Sequence, residues 1–210
     1  MKTDCLLIVL LFASPVLANA QSPAPLHLVQ TIPLPNVKGR IDHMDVDLKG
    51  KRLFVAGLEN GSIEVVDLQA GKWVKSIPGF QKPQGIAYVK SLNKVFVASG
   101  DDGMLRVFRG DTLDFLDAIK LDLGPNRVVY DPRTELLYVG YGGKDAGKDY
   151  GQVGVIDAKT NKHMAISKWT ATLGSLFWTN LVRLCSSLFP PQAKFKSWIQ
   201  TSARWCPRGG

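Results

Sequence analysis

Three pairs of residues, all polar except Gly85, recur at an interval of 42 positions, and their polar side chains can bind a ligand. The pairs are Asp42-His43, Gln84-Gly85 and Asn126-Arg127. An imidazole can act as a general base or a metal ligand, but no second histidine falls within this pattern. Catalysis is therefore disfavoured. Two interpretations remain open: polar groups that satisfy the ends of strands, and a polar ligand pocket.

A phosphate-binding pattern, G-x-x-x-x-G-K, runs from Gly142 to Lys148. Such a loop needs a serine or threonine next, to hold Mg²⁺, and a helix whose N-terminus faces the phosphates. Asp149 stands at the hydroxyl position, and Val153–Asp157 has the alternation of a strand. The pattern therefore predicts a lengthened hairpin loop and not a nucleotide site.

Other combinations of residues fail to form a recognisable reaction centre. Asp101, Asp102, Asp145 and Asp149 are carboxylates that Ca²⁺ could use, but they lack the alternating oxygen ligands of a calcium loop. Residues 21–167 contain no cysteine, and the chain shows neither a Ser/His/Asp set nor zinc-type Cys/His spacing. We expect no catalytic residue, metal site or cofactor.

A repeat of 42 residues organises the elements that must position the polar pairs. Phe54, Phe96 and Tyr138 lie 42 residues apart, and six extra residues precede the third strand of the last copy. Apolar and polar residues alternate within each copy, which is typical of β-strands. The aromatic residues should lie in the core. The predicted strands are 43–47, 52–56, 62–67 and 73–77 in the first copy, 85–89, 94–98, 104–108 and 115–121 in the second, and 127–131, 136–140, 153–157 and 163–166 in the third.

Four short strands in every 40 to 50 residues are typical of a β-propeller blade. The predicted fold class is all-β, with about three blades in an incomplete ring and an irregular or helical C-terminal tail. Thr31-Ile32-Pro33 is similar to Ser76-Ile77-Pro78. We therefore predict a separate strand at Leu28–Pro33 that would complete the last blade.

The repeats resemble those of the YVTN-type β-propeller family of exported bacterial proteins. The resemblance rests on Phe54-Val55-Ala56, Phe96-Val97-Ala98 and Tyr138-Val139-Gly140, and on the opening stretch Gly39–Asp47. It covers about residues 27–166. In such propellers the inner strands begin at the rim of a central channel. The resemblance thus implies that a polar pocket there would be lined by Asp42, His43, Gln84, Asn126 and Arg127.

The same resemblance implies a non-enzymatic binding or interaction module, since most of the family has no assigned reaction. The alternative is a lactonase-type propeller hydrolase similar to gluconolactonases. That reaction would need a divalent metal held by carboxylate and asparagine ligands, and Asp42 with Asn126 alone would not suffice.

The N-terminus has the pattern of an export signal. Lys2 precedes the short apolar run Cys5–Phe12, and Ala18-Asn19-Ala20 provides a small-x-small cleavage site. We predict a signal peptide at 1–20, a linker at 21–26 and repeats at 27–167. The mature chain should be periplasmic or secreted, with no transmembrane anchor after cleavage.

The charge of the chain is concentrated at its C-terminal end. The net charge is +8, but residues 21–167 carry 19 basic and 17 acidic side chains, whereas 168–210 carry six basic side chains and no acid. A basic, tryptophan-rich tail is typical of nucleic-acid stacking. An exported protein would rarely meet nucleic acid, so we expect an unidentified protein or small-molecule partner instead.

The tail also departs from the repeat. With suitable synonymous codons, a reading frame two nucleotides downstream encodes a segment that continues the blade pattern in register. We therefore predict a truncated chain with a frameshift between Met164 and Ser167 and an out-of-frame tail at 168–210. The alternative is that Leu173–Leu188 forms an apolar helix that packs on an exposed blade edge.

Overall fold

The computed structural model describes residues 26–169. These residues divide between two compact units, one ending at Thr31 and one beginning at Ile32, and every regular element belongs to the second. Two single turns of 3₁₀ helix lie at Lys90–Leu92 and Gly143–Ala146. The strands in the described part are β1 (Ile41–Asp47), β2 (Arg52–Gly57), β3 (Ser62–Asp67), β4 (Lys72–Pro78), β5 (Pro83–Val89), β6 (Lys94–Ser99), β7 (Met104–Arg109), β8 (Phe115–Lys120), β9 (Val128–Asp131), β10 (Leu136–Gly142), β11 (Gly151–Asp157) and β12 (Lys162–Trp169).

The strands form three antiparallel sheets of four, each in the order of the sequence. Blade 1 contains β1–β4, blade 2 contains β5–β8 and blade 3 contains β9–β12. Strand β1 contacts β5, and β5 contacts β9, so the first strand of each blade is its inner strand. The predicted all-β fold of propeller-type blades is confirmed, and the predicted strands agree with the observed bounds to within about three residues.

Apolar faces hold neighbouring blades together. Each blade has a forward face, towards the next blade in the chain, and a rear face, towards the preceding one. Phe54 and Val65 on the forward face of blade 1 share a buried cluster with Val97 on the rear face of blade 2. Phe96 on the forward face of blade 2 packs in a second cluster with Val139 of blade 3. Because successive residues of a strand point to opposite faces, β6 is buried on both sides.

The repeat spacing corresponds to an equivalent register in every blade. Phe54 lies opposite Val65, Phe96 opposite Val107, and Tyr138 opposite Val155. All three aromatic side chains are buried, which confirms their predicted place in the core. Complete burial of such a side chain stabilises a fold by about 1.5–3 kcal/mol.

A buried carboxylate on the rear face of blade 1 is fully hydrogen-bonded. The Glu64 side chain accepts hydrogen bonds from Ser62 Oγ at 2.5 Å, Ser76 Oγ at 2.9 Å and Trp73 Nε1 at 2.7 Å. Such donors offset the cost of removing a polar group from water. Glu64 is therefore adequately explained as a structural group of the blade.

In blade 3 a tyrosine from the neighbouring strand occupies the space that the Glu64 side chain takes in blade 1. The repeat aligns Gly154 with Glu64 of blade 1 and Arg106 of blade 2. A Cβ on Gly154 would lie 2.9 Å from Cε1 of Tyr141, so the tyrosine ring occupies the space that a side chain would need. The Tyr141 hydroxyl is buried without a hydrogen-bond partner in the described structure. Burial, with a smaller contribution from the Asp122 carboxylate, raises the pKa of Tyr141 to about 12.

Two cations at equivalent positions link neighbouring blades. Arg52, at the start of β2, donates from Nη1 to the backbone oxygen of Asp111 in the β7–β8 turn, at 3.1 Å. Lys94, at the start of β6, makes the corresponding link from blade 2 to blade 3. Its Nζ donates to three oxygens of the β11–β12 turn, each at 2.9 Å, namely Ala158 O, Lys159 O and Asn161 Oδ1.

Each outer strand contains a one-residue bulge at the same repeat position. The bulged residues are Val74 in β4, Leu116 in β8 and Met164 in β12, and all three side chains are exposed. A bulge bends a strand and discourages edge-to-edge pairing with another chain. The outer edges of the blades are thereby interrupted at regular intervals.

Some sequence predictions are corrected or fall outside the described residues. The strand predicted at Leu28–Pro33 is wrong, because these residues have no regular secondary structure and each of the three sheets already contains its four strands. Strand β12 extends to Trp169, past the predicted end of the repeats at 167. The signal peptide at 1–20, most of the linker at 21–26 and the tail from residue 170 lie outside the described part. Within residues 26–169, no helix is long and apolar enough to cross a membrane.

Substitution of Lys94 by methionine should weaken the link between blades 2 and 3. The variant keeps the aliphatic stem but leaves three oxygens without their charged donor, so we expect a loss of about 2 kcal/mol in the free energy of unfolding. Urea unfolding measures this loss. Lys90→Met is the control, because Lys90 is exposed and lies in the 3₁₀ turn between β5 and β6. It should change stability by less than about 0.5 kcal/mol. Equal effects of the two substitutions would contradict the proposed link.

Alkaline pH should destabilise the protein partly through Tyr141. Because the folded state raises the pKa of this phenol from 10.0 to about 12, the unfolded chain loses the proton first, and stability falls as the pH rises through this window. Between pH 9 and 11.5, Tyr141→Phe should lose about 2 kcal/mol less stability than the parent chain. Urea unfolding at both pH values measures the difference. Parallel pH dependence in the two chains would show that Tyr141 is not responsible.

Candidate functional site

The three polar pairs lie at one structural feature that each blade repeats. In β1, Asp42 and His43 together lie opposite one residue of β2, because the pairing steps from Ile41↔Gly57 to Met44↔Val55. In β5, Gln84-Gly85 makes the same step opposite Ala98. Such bulges redirect side chains and are frequent beside functional sites. The pairs are thus equivalent in structure as well as in spacing.

The third bulge immediately precedes β9 and is defined by backbone hydrogen bonds. Asn126 N donates to Gly140 O at 2.9 Å, and Gly140 N donates to Arg127 O at 3.0 Å. Two residues again lie opposite one residue of the second strand. The Asn126 side chain is exposed and that of Arg127 is half-buried, so both can reach a ligand.

Asp42 and His43 form an incompletely paired group in blade 1. Asp42 Oδ2 lies 3.6 Å from Nη2 of the exposed Arg40. His43 Nδ1 lies 3.2 Å from Asp42 Oδ1, yet the geometry does not make a hydrogen bond, and this nitrogen is buried without a hydrogen-bond partner among the described residues. A buried polar atom of this kind is unusual in a folded protein. Because this nitrogen is closed to solvent and faces Asp42, a ligand at this bulge would contact other atoms of the pair.

Gln84 is the most deeply placed of the candidate side chains. It is 7% exposed, and a Cβ on Gly100 would lie 2.6 Å from its Nε2. The absence of a side chain at Gly100 therefore leaves room for the Gln84 amide. Because it is so deeply placed, Gln84 would line the inner wall of a pocket at this bulge and not its opening.

Close backbone packing brings the second and third bulges together. A Cβ on Gly85 would lie 2.0 Å from Asn126 O and 2.8 Å from Val128 N. No other residue fits there without displacing blade 3. Glycine at position 85 thus allows β5 and β9 to approach each other closely. This requirement explains why the second pair contains a glycine where the other two pairs have a polar residue.

A hydrogen bond joins the first inner strand to the second. Asp45 Oδ2 accepts a hydrogen bond of 2.6 Å from the backbone N–H of Tyr88. The Asp45 side chain thereby satisfies a donor on the inner edge of β5 that no strand of blade 2 pairs with. All three bulges therefore belong to adjacent strands in the series β1, β5, β9.

The remaining sequence candidates serve local structure. The Gly142–Lys148 segment is a hairpin loop between β10 and β11, as predicted, and Lys148 pairs with the Asp122 carboxylate. That contact lowers the pKa of Asp122 and raises the pKa of Lys148. Asp101 pairs with Lys82 at 3.0 Å and Asp102 with Arg106 at 2.6 Å. Among residues 26–169, no three His, Cys, Asp or Glu side chains group as metal ligands.

Sequence reasoning missed the residues that place the bulges. Arg40, Asp45 and Gly100 contact candidate residues or their strands, but none of them shares the polar-pair pattern. Asp45 lies two positions beyond His43, and only the packing of β1 on β5 reveals its partner. Gly85 was visible in the sequence as a departure from the polar pattern, which is the one signal that could have indicated close backbone approach.

Comparisons with known proteins support the fold. No protein-family model matches the chain, and no curated protein matches it. Among solved structures, a chain titled Kuenenia stuttgartiensis hydrazine synthase is similar, with a TM-score of 0.53 and 23% identity. The match covers 57% of this chain and 34% of that chain, so this chain spans about a third of its structural neighbour. At this identity the likeness shows the fold alone, which is of the β-propeller type.

Proposed function

We propose that the chain is a non-enzymatic binding module whose ligand contacts the three inner-strand bulges. The observation that carries the proposal is the repetition of one bulge, at the same position of each blade, at the polar pairs. The side chains of Asn126, which is exposed, and of Arg127, which is half-buried, support the proposal because they offer a ligand accessible hydrogen-bond donors.

The chemistry of the side chains favours a small polar ligand. The imidazole of His43, the amides of Gln84 and Asn126 and the guanidinium of Arg127 supply mainly hydrogen-bond donors. Asp42 supplies an acceptor, and Arg40 partly neutralises its charge. A ligand with several oxygen acceptors, such as a sugar acid or the carboxylate of a small metabolite, suits this set. The proposal includes no cofactor and no nucleic acid.

The finer description that we propose is an exported propeller of the YVTN type, acting in the periplasm or outside the cell. The leader pattern of residues 1–20 and the three aromatic-valine motifs of the repeats support it. A lactonase-type hydrolase has less support. A divalent metal at Asp42 would compete with the Arg40 guanidinium, 3.6 Å from that carboxylate.

Ligand-detected NMR of the full chain tests the proposal, with a defined mixture of sugar acids, neutral sugars and amino acids as the probe. Calorimetry then measures the affinity of each hit. His43→Ala and Arg127→Ala should each weaken binding about tenfold or more, because each removes a charged or polar donor. Lys162→Met, at an exposed residue of the outer strand β12, is the matched control and should leave the affinity unchanged.

The hydrolase is tested on the same preparation. Glucono-δ-lactone is incubated with the chain in the presence of Ca²⁺ or Zn²⁺, and ring opening is followed by proton release. Binding without turnover supports the module. Metal-dependent turnover that is abolished by Asp42→Asn would show that the chain is a hydrolase and not a binding module. If His43→Ala and Arg127→Ala both leave the affinity of every hit unchanged, the ligand binds elsewhere than at the inner-strand bulges.

A further inference from the structure

The blade 2–3 linker, residues 121–125, leads directly into the third bulge, which begins at the next residue. The N–H of Gly124 donates to Gly100 O at 2.8 Å, and Gly100 lies against the amide of Gln84 in the second bulge. On the other side, Pro125 restricts the backbone between Gly124 and the third bulge. A displacement of this linker would therefore reach the side chains of both bulges.

The two linkers between blades are anchored differently at the same repeat position. In the blade 1–2 linker, residues 79–83, Phe80 is 6% exposed and packs in the cluster between those blades. Asp122 stands 42 residues later in the chain, and a carboxylate cannot make such apolar contacts without a large desolvation cost. The apolar contact of the blade 2–3 linker comes from Leu121, which is only half-buried. Apolar packing therefore holds this linker less firmly than the first one.

An ion pair with the β10–β11 loop anchors the blade 2–3 linker instead. The Lys148 ammonium pairs with the Asp122 carboxylate and also donates to Gln152 Oε1 at 3.5 Å. The hydrogen bond from Lys148 lowers the pKa of Asp122, so the carboxylate is charged at neutral pH. Lys148 lies in the loop that contains the six extra residues of the third copy. The shorter turns of blades 1 and 2 have no equivalent of it.

The same loop also lies directly on the linker. A Cβ on Gly124 would lie 2.9 Å from the Cβ of Asp145 in the loop. At the start of the loop, Gly142 N donates to Leu123 O at 2.8 Å. These contacts fix the position of the loop, so the ammonium of Lys148 is held next to the linker that it pairs with.

We propose that the Lys148–Asp122 ion pair positions Asn126 and Arg127 for the ligand, which makes Lys148 and Asp122 positioning residues of the binding site. This inference rests on the proposed function of the inner-strand bulges. Both side chains of the pair are about a third exposed, and ion pairs at such positions contribute little to global stability. The effect of the pair should therefore be local, and its contribution to affinity should not exceed about fivefold.

Hydrogen exchange of the full chain tests the anchor without any ligand. Lys148→Met removes the charge, and Lys144→Met, at an exposed lysine of the same loop, is the matched control. In Lys148→Met the N–H groups of Gly124 and Gly142 should exchange about three- to fivefold faster at low ionic strength. The N–H of Phe80, in the other linker, should exchange at the parent rate, which distinguishes a local change from a global one. Parent rates at Gly124 and Gly142 would contradict the proposal.

Calorimetry measures the consequence for binding, with gluconate and glucuronate from the screening mixture as probes. Lys148→Met should weaken binding about three- to fivefold at low salt. Lys148→Arg should restore the affinity, because a guanidinium also pairs with a carboxylate. At about 0.5 M salt the parent chain and Lys148→Met should bind alike, since salt screens an exposed ion pair. Lys144→Met should bind as the parent chain does at both salt concentrations.

A double substitution separates the ion pair from other effects of the two residues. Asp122→Asn combined with Lys148→Met should weaken binding no more than either change alone, because both remove the same interaction. Faster exchange in the linker with unchanged affinity would overturn the proposal, since the pair would then hold the linker without positioning the bulge. A failure of the proposed function gives a different result. In that case neither probe binds the parent chain, or Arg127→Ala leaves the affinity unchanged, and this inference falls with it whatever the exchange rates are.

Discussion

The structure depends on the burial of both faces of blade 2 against its neighbours. Val97 and Phe96 are consecutive residues of β6, yet one packs towards blade 1 and the other towards blade 3. No single blade of four short strands buries enough apolar surface to be stable alone. The packing of the blades therefore positions everything else, including the polar bulges, and the links from Arg52 and Lys94 reinforce the same two interfaces.

The strands and the core could be predicted from the sequence because both follow from local periodicity. Alternation of apolar residues set the strand type, and the interval of 42 between Phe54 and Phe96 identified equivalent positions. The same reasoning was wrong at Leu28–Pro33. A strand needs an open edge to pair with, and similarity of Thr31-Ile32-Pro33 to another strand carries no information about such a partner.

The equivalence of the polar pairs could also be predicted, but their geometry could not. A bulge is a property of pairing between two strands, and neither strand of a pair reveals it alone. The approach of Gly85 to the Asn126 backbone and the bond from Tyr88 to Asp45 join residues of different repeats. In blade 3, Gly154 has no side chain, and the ring of Tyr141 on the neighbouring strand fills the space that one would need. This compensation involves two strands, so neither position reveals it alone.

Packing on both faces of blade 2 should make the three blades a single cooperative structure. Native-state hydrogen exchange in increasing urea measures this cooperativity, because it resolves the opening of each strand separately. We predict that the slowest amides of β2, β6 and β10 open with the same free energy and the same dependence on urea. Three different opening free energies, each with its own urea dependence, would contradict it.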